Sequence, residues 1–525
     1  MVGRWLDLSG RRGRCGQNAP PRVRSAIAND CVAFGPTAPP HVQMSTHTLH
    51  TTVSVTTRPP GESAPQGAMR ASGTVGRIGR GFAANLAGNG VTVLIQLVSV
   101  PVFLAKWGVP RYGEWLILSA VPTYLALSDL SFSSVAGNSM VMLEAQGKRA
   151  AAIDLGRRLW SLVTVMTAAA VLSAVIIALL FGGAFGRDTV IPELEVRVVL
   201  VALFLQVAVG NQYGVLDAWY RTGGSYPLGA TMRQVGRLIE FGALMVTVLA
   251  GATPGPAAIA FLIGSSAGFV VSWVVLRRAV PWSSFRLERP HLRTFRALFA
   301  PGVAFMVFPM GNALSLQGFT IVVGATMGAA AIVVFSTTRT VTRVALQVMN
   351  SINASILPEL SRSVGGGHLA EARTIIRGAV QAAFAVSLSL VVVLAIFGTR
   401  LIKWWTHGLV NPPTVLLYIL LLEMIASTFW FTLSAVVGAT NRHKLLAFIY
   451  LLATILALCA AIPLSLAFGL VGAATALLAI DALMIAFTIP LSLRVVQDAP
   501  TDFLRALLAV PPGIRALKPG PRSRP

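Results

Sequence analysis

Charge is what this chain has least of. Asp, Glu, Lys and Arg make up only 12% of its 525 residues, about half the usual share for a soluble domain. A soluble chain of this length would divide into domains with polar faces between them. Here no long polar stretch interrupts residues 82–493. Cysteine is scarce too: Cys15, Cys31 and Cys459 form neither a metal spacing nor a disulfide framework. The phosphate-cradling pattern Gly-x-x-x-x-Gly-Lys-Ser/Thr is absent, which excludes a built-in ATPase module of that type. There is no polar domain for a nucleotide-sugar active site, no extended outer loop of the kind membrane polymerases and ligases carry, and no His/Cys/acid metal spacing. An enzyme is therefore not expected, and no cofactor is implied.

What the chain has in abundance is apolar sequence. Hydrophobic residues account for 55% of it, and its mean hydropathy is +0.71. Most apolar runs reach ~20 residues, enough to cross the hydrocarbon core as helix. Barrel strands would need short alternating segments, which are absent. The expected fold is an all-α polytopic membrane protein of twelve spans, at 82–106, 113–141, 158–182, 197–220, 228–250, 256–277, 297–325, 329–357, 374–398, 413–437, 443–466 and 469–493.

Basic residues outnumber acidic ones by 42 to 19, a net charge of +23. Such an excess can signal nucleic-acid binding, but here it is confined to the two tails and to every second loop. One side collects the Arg-rich N-terminal tail, Lys148, Arg149, Arg157, Arg277, Arg278, Arg286, Arg362, Arg373 and Lys444. The other holds little beyond Lys106, Arg111, Arg187, Arg197, Arg400 and Lys403, and the loops near 252, 327 and 468 are uncharged. Lys and Arg stay cytoplasmic in short loops, so both termini are read as cytoplasmic in a bacterial inner membrane.

Residues 1–80 are rich in Arg, Pro, Thr, Ser and Gly and are read as a disordered basic tail, with Met44 or Met69 as alternative first residues. Residues 81–285 form an N-terminal lobe, 286–497 a C-terminal lobe and 498–525 a second basic tail. The halves share landmarks. A very short outer turn falls at Gly108 in one and Gly328 in the other, and a cytoplasmic Gly-basic or Gly-His segment at Gly147 and Gly367. Both pairs are offset by ~220 residues, the length of a six-helix half, so the lobes would be related by an axis along the membrane normal, with a cleft between them.

Several spans carry polar stripes. In the first, Asn85, Asn89, Thr92, Gln96 and Ser99 step by three and four and share a face. In the eighth, Ser336, Arg339, Thr340, Arg343, Gln347 and Asn350 do the same. Small polar residues also glue membrane helices together, but charges in a span cost at least ~2.5 kcal/mol and usually face a water-filled cavity. Arg339 and Arg343 are one turn apart and suit bidentate phosphate recognition. They are read as a substrate-binding cationic patch, with Asn85, Asn89, Gln96, Gln347 and Asn350 lining the same cavity. Neutralisation of the two arginines by buried acids is the competing reading. Asp129, Glu423 and Asp481 are the deep acids and the candidates for ion coupling. Asp217, Arg221, Arg233 and Arg237 lie nearer the ends of their spans and are read as interfacial.

The stretch Asn85 to Ala150 resembles the N-terminal region of Wzx-type polysaccharide flippases, within the multidrug/oligosaccharidyl-lipid/polysaccharide exporter superfamily. The resemblance rests on Val100-Pro101-Val102-Phe103-Leu104, Trp107-Gly108, Tyr112-Gly113-Glu114-Trp115, Leu127-Ser128-Asp129-Leu130, and Asn138 ahead of Ala145-Gln146-Gly147. Pro358-Glu359-Leu360-Ser361 before Gly365-Gly366-Gly367 looks like the matching segment of the second lobe. Ser131 departs from the family, which often has Gly there. The resemblance implies a MATE-like pair of lobes around a V-shaped cleft. It implies export of an undecaprenyl-diphosphate-linked oligosaccharide from the inner to the outer leaflet, as in lipopolysaccharide O-antigen or exopolysaccharide biosynthesis. A proton or sodium gradient would drive it, and a polysaccharide polymerase and other assembly proteins would be partners. The alternative is a multidrug or small-molecule antiporter of the same superfamily, which would want acids rather than arginines in its cavity.

Overall fold

The computed structural model describes residues 66–126, 132–185, 189–288, 292–440 and 443–508. Regular structure within them is helical. Helix α1 (Gln66–Leu125) turns back at Gly108, and α13 (His443–Val496) at Gly469. Between them run α2 (Phe132–Ala145), α3 (Arg149–Phe185), α4 (Glu193–Thr222), α5 (Tyr226–Leu249), α6 (Pro254–Ala279), α7 (Leu292–Ala313), α8 (Phe319–Met327), α9 (Ala329–Thr342), α10 (Val344–Gly365), α11 (Leu369–Trp405) and α12 (Thr414–Ala439). A short α14 (Pro500–Leu508) follows. Among the described residues seven helices are long and apolar enough to cross a membrane by length and composition, and two of these contain the glycine turns. Large apolar side chains lie exposed along them, such as Leu180, Ile263, Leu466 and Phe468, as a hydrocarbon solvent permits and water disfavours. The chain is a multi-pass membrane protein.

Among the described residues all twelve expected spans are helical, residues 127–131 of the second lying outside them, and two spans are composite. The second is the outer arm of α1 followed by α2, and the eighth is α9 followed by α10. The seventh is continuous through α7 and α8, with a π-helical turn at Leu314–Gly318 between them. The threonines explain part of the break in the eighth rod. Thr338, Thr340 and Thr342 bond back to the carbonyls of Val334, Ser336 and Arg339 at 2.7, 2.8 and 3.1 Å, and such back-bonding competes with the helical ladder.

The glycine landmarks carry matching backbones. Gly108 has φ 72, ψ 175 and Gly328 has φ 83, ψ 179, a region essentially closed to side-chain-bearing residues. Gly147 and Gly367 have φ 74 and 75 and end their helices in the same way. The amide three residues past the helix end reaches back at 2.9 Å from Lys148 to Leu143 O and at 2.8 Å from His368 to Ser363 O.

Two expectations about the ends change. Helix α1 starts at Gln66, inside the stretch expected to be disordered through residue 80. Once a long spanning helix exists, extending it adds a hydrogen bond per residue without a new nucleus. At the other end, α14 lies within the stretch read as a basic tail. Its Phe503 is buried against Phe429. Arg377 forms a two-pronged ion pair with Asp498, with Nε to Oδ2 at 2.9 Å and Nη2 to Oδ1 at 2.5 Å, and Gln381 donates to the carbonyl of Ala506 at 2.5 Å.

Helices α2–α6 pack with one another and with α1, and α7–α13 pack among themselves, giving two six-rod lobes. The lobes meet where α1 lies along α9 and α10, and where α2 meets α7. Three polar contacts on α1 hold this region. Asn89 donates to Gln347 O at 3.2 Å and to Ser351 Oγ at 3.0 Å, and Trp405 Nε1 donates to Leu97 O at 2.9 Å. Beyond the Gly108 turn the approach is closer still: a Cβ built on Gly113 would stand 2.2 Å from the Ala329 carbonyl oxygen.

Candidate functional site: a mixed-charge cavity in the second lobe

A cavity of about 310 Å³ lies among α7, α10, α12 and α13. Helix α7 and the π-turn contribute Phe308, Asn312, Ser315 and Leu316. The α9–α10 junction and α10 contribute Arg343, Leu346, Gln347 and Asn350. From α12 come Glu423, Ser427, Trp430 and Phe431, and from α13 Tyr450, Leu477, Ile480 and Asp481. Five residues singled out in the sequence therefore meet here: Arg343, Gln347, Asn350, Glu423 and Asp481.

Arg343 is the residue at which the eighth rod breaks, with φ −79 and ψ −4. It caps α9, its own amide bonding to Arg339 O at 3.0 Å, while its side chain lines the cavity. Among the described residues it makes no ion pair within 4.0 Å. Two buried acids share the cavity. Asp481 accepts a hydrogen bond from Trp430 Nε1 at 2.7 Å. Glu423 is 2% exposed, and its Oε2 has no hydrogen-bond partner among the described residues. An unanswered carboxylate oxygen in a span is expensive to bury.

Arg339 sits elsewhere. It does not line the cavity. Its guanidinium reaches behind the wall to the π-turn, donating to Ser315 O at 3.0 Å, Leu316 O at 3.4 Å and Ser315 Oγ at 3.3 Å. The rings of Phe319 and Phe335 flank it at 6.0 and 5.9 Å, close enough for cation–π attraction. The expected two-arginine patch thus separates into one arginine in the cavity and one that holds its wall. With two acids and one arginine, the cavity is of mixed charge rather than simply cationic.

The remaining candidates disperse. Asn89 bridges the lobes, touching the backbone of Gln347 without lining the cavity. Gln96 is half-buried on α1, away from it, and its carbonyl accepts from Ser99 at 3.3 Å. Asp129 and the side chain of Asn85 fall outside the described residues. Of the residues read as interfacial, Arg233 pairs with Asp217, and Arg237 turns toward the α1 stripe, donating to Thr92 Oγ1 at 2.8 Å. Glu240 accepts from Gln206.

Sequence reasoning missed the aromatic wall formed by Phe308, Trp430, Phe431 and Tyr450. Phe308 stacks on Tyr450 at 5.0 Å, and Trp430 lies 5.4 Å from Tyr450. A Trp-Phe pair two turns beyond Glu423 was a visible signal, but aromatics in an apolar helix are usually core. Several family-like residues of the first lobe have structural duties. Trp107 Nε1 donates to Ala252 O at 2.8 Å, and Phe103 stacks on Trp107 and Tyr112 at 4.8 and 5.4 Å. The Glu114 carboxylate accepts from the amides of Val190 and Ile191 at 2.6 and 2.8 Å, satisfying the backbone just ahead of α4.

No family model matches the chain. A curated relative, an uncharacterized membrane protein of Bacillus subtilis (strain 168), EpsK, is 24% identical over 260 residues, 48% of this chain and 50% of that protein. The match thus spans about half the length of the relative. Among solved structures, an inward-facing multidrug resistance MATE transporter of the MOP superfamily superposes with a TM-score of 0.63 at 12% identity, covering 78% of this chain and 96% of that one. The lipid II flippase MurJ in an inward closed conformation gives 0.60 at 15% identity, covering 80% and 89%. The Vibrio cholerae MATE transporter VcmN in its bent form gives 0.53 at 17% identity, covering 82% and 98%. At these identities the likeness is one of fold: this chain has the two-lobed architecture found in MATE transporters and in MurJ.

Proposed function

We propose that the chain is a secondary transporter that moves a lipid-linked oligosaccharide, carried on undecaprenyl diphosphate, from the cytoplasmic to the periplasmic leaflet of a bacterial inner membrane by alternating access between its lobes. The observation that carries this reading is Arg343. It is a guanidinium facing a membrane-embedded cavity with no ion pair among the described residues, at the break between α9 and α10. A phosphate oxygen pair suits that fork. Asn312, Gln347 and Asn350 supply amides for sugar hydroxyls, and the aromatic wall supplies apolar faces. At about 310 Å³ the cavity fits part of such a headgroup rather than the whole of it. The excess of Lys and Arg in alternate loops supports a cytoplasmic reading of both termini.

Glu423 and Asp481 are the proposed coupling groups, exchanging a proton or sodium ion as the lobes reorient. They also favour the second reading, a cation or drug antiporter, because they bring two carboxylates to one cavity. The readings part on Arg343. Under the first, Arg343→Ala abolishes surface polysaccharide export while the protein inserts normally. Under the second, the same change spares transport and Glu423→Gln with Asp481→Asn abolishes it. Export unchanged in Arg343→Ala would sink the flippase reading.

A further inference from the structure

The polar cavity has an apolar neighbour. A pocket of about 380 Å³ lies among α7, α10, α12 and α13. Phe308 and Phe431 line both spaces and are stacked with centroids 6.5 Å apart. The second pocket is walled by Pro309, Leu357 and Leu446, and it owes its width to the small residues Ala354, Ala435 and Ala447. Its polar side chains are turned onto backbone: Asn353 Nδ2 donates to Phe431 O at 3.0 Å, and Ser434 Oγ to the same oxygen at 2.6 Å. Among the described residues Asn353 Oδ1 is buried without a partner, and no charged residue lines the pocket. Along α10, α12 and α13 the pocket lies displaced from the polar cavity toward the end of the bundle that carries residues 365 and 440. Loop charge makes this the cytoplasmic end.

We propose that this pocket holds the hydrocarbon tail of the same amphiphile whose anionic head lies beside Arg343, so that one ligand spans both spaces past the Phe308–Phe431 partition. The inference rests on the headgroup reading given above. Three observations argue for a tail and for its source. The wall is apolar apart from side chains tied mainly to backbone. The pocket adjoins the charged cavity across two shared rings. It lies on the leaflet side from which a cytoplasmically made lipid-linked substrate arrives. A free phosphate or a small cation would use the polar cavity alone. A bound tail gains about fourfold in affinity for each methylene buried, so chain length should be read out directly.

The test uses the purified full-length protein in detergent with four probes: inorganic diphosphate, farnesyl diphosphate, undecaprenyl diphosphate and dioleoyl phosphatidylglycerol. The wild type should bind farnesyl diphosphate at least tenfold more tightly than inorganic diphosphate. Ala354→Trp, at an exposed position of α10, should erase that difference while leaving inorganic diphosphate binding intact. Ala447→Leu should do the same from the opposite wall. That difference surviving both variants would overturn the proposal, as would phosphatidylglycerol displacing the long-chain diphosphate equally well. Arg343→Ala reports separately: if it leaves inorganic diphosphate binding unchanged, the headgroup reading fails. Should either filled variant fail to fold, a diazirine at the chain end of undecaprenyl diphosphate decides on the wild type. Labelling of 353–357 or 446–447 supports the pocket, and labelling confined to the first lobe overturns it.

Discussion

Arg339 and Arg343 are four positions apart, and an unbroken helix would present them on one face. The break at Arg343 and the π-turn opposite separate their fates. Arg339 answers the carbonyls that the widened turn exposes, whereas Arg343 is left facing the cavity. The two should therefore fail differently. Arg339→Ala strips charged hydrogen bonds from buried carbonyls and should cost roughly 1.5–3 kcal/mol of stability, seen as a lower Tm of the purified protein. Arg343→Ala should leave Tm nearly unchanged and remove anion binding. Equal Tm for wild type and Arg339→Ala would mean that the π-turn does not depend on that guanidinium. The sequence showed both arginines as buried and notable. It could not show which way each turned, because that depends on backbone irregularities with no distinct residue code.

At the scale of the element, the turns repeat between lobes more faithfully than the residues do. Gly108 and Gly328 adopt nearly the same dihedrals although little sequence is shared around them. Each joins two spans with no loop between, so its conformation is set by the reversal itself. Gly328→Ala would place a side chain in a region that costs of order 1–3 kcal/mol to occupy. Open space surrounds the position, with nothing within 4 Å of an added Cβ, so the loss measured by thermal unfolding should be conformational and of that size. A loss well below 1 kcal/mol would show the turn relaxing to another shape. These glycines were legible because short uncharged turns between long apolar runs leave few alternatives. Helix α14 was not. Its nine residues are too short for a span, and its anchoring by Asp498 to Arg377 crosses 121 residues of sequence.

For the whole molecule, the span count and the six-and-six grouping were readable because hydropathy and length act locally and additively along the chain. The site was readable only in part. Arg343, Gln347, Asn350, Glu423 and Asp481 do converge, since polar residues in spans tend to face one another. Asn89 and Gln96 share a stripe with the right period, yet one ties the lobes together and the other lies apart. Periodicity reports a face, not what the face meets. The aromatic wall and the apolar pocket behind it needed the packing of four helices to appear.

The central claim is that this two-lobed membrane protein moves an anionic lipid-linked headgroup past Arg343. Reconstitution into proteoliposomes tests it most directly, following a fluorescent undecaprenyl-diphosphate-linked saccharide from the outer to the inner leaflet under an imposed proton or sodium gradient. The account predicts gradient-dependent flipping by the wild type, reduced at least tenfold in Arg343→Ala and retained in Gln96→Ala. Flipping at the wild-type rate in Arg343→Ala, or gradient-driven movement of a cationic dye with none of the lipid-linked saccharide, would contradict it.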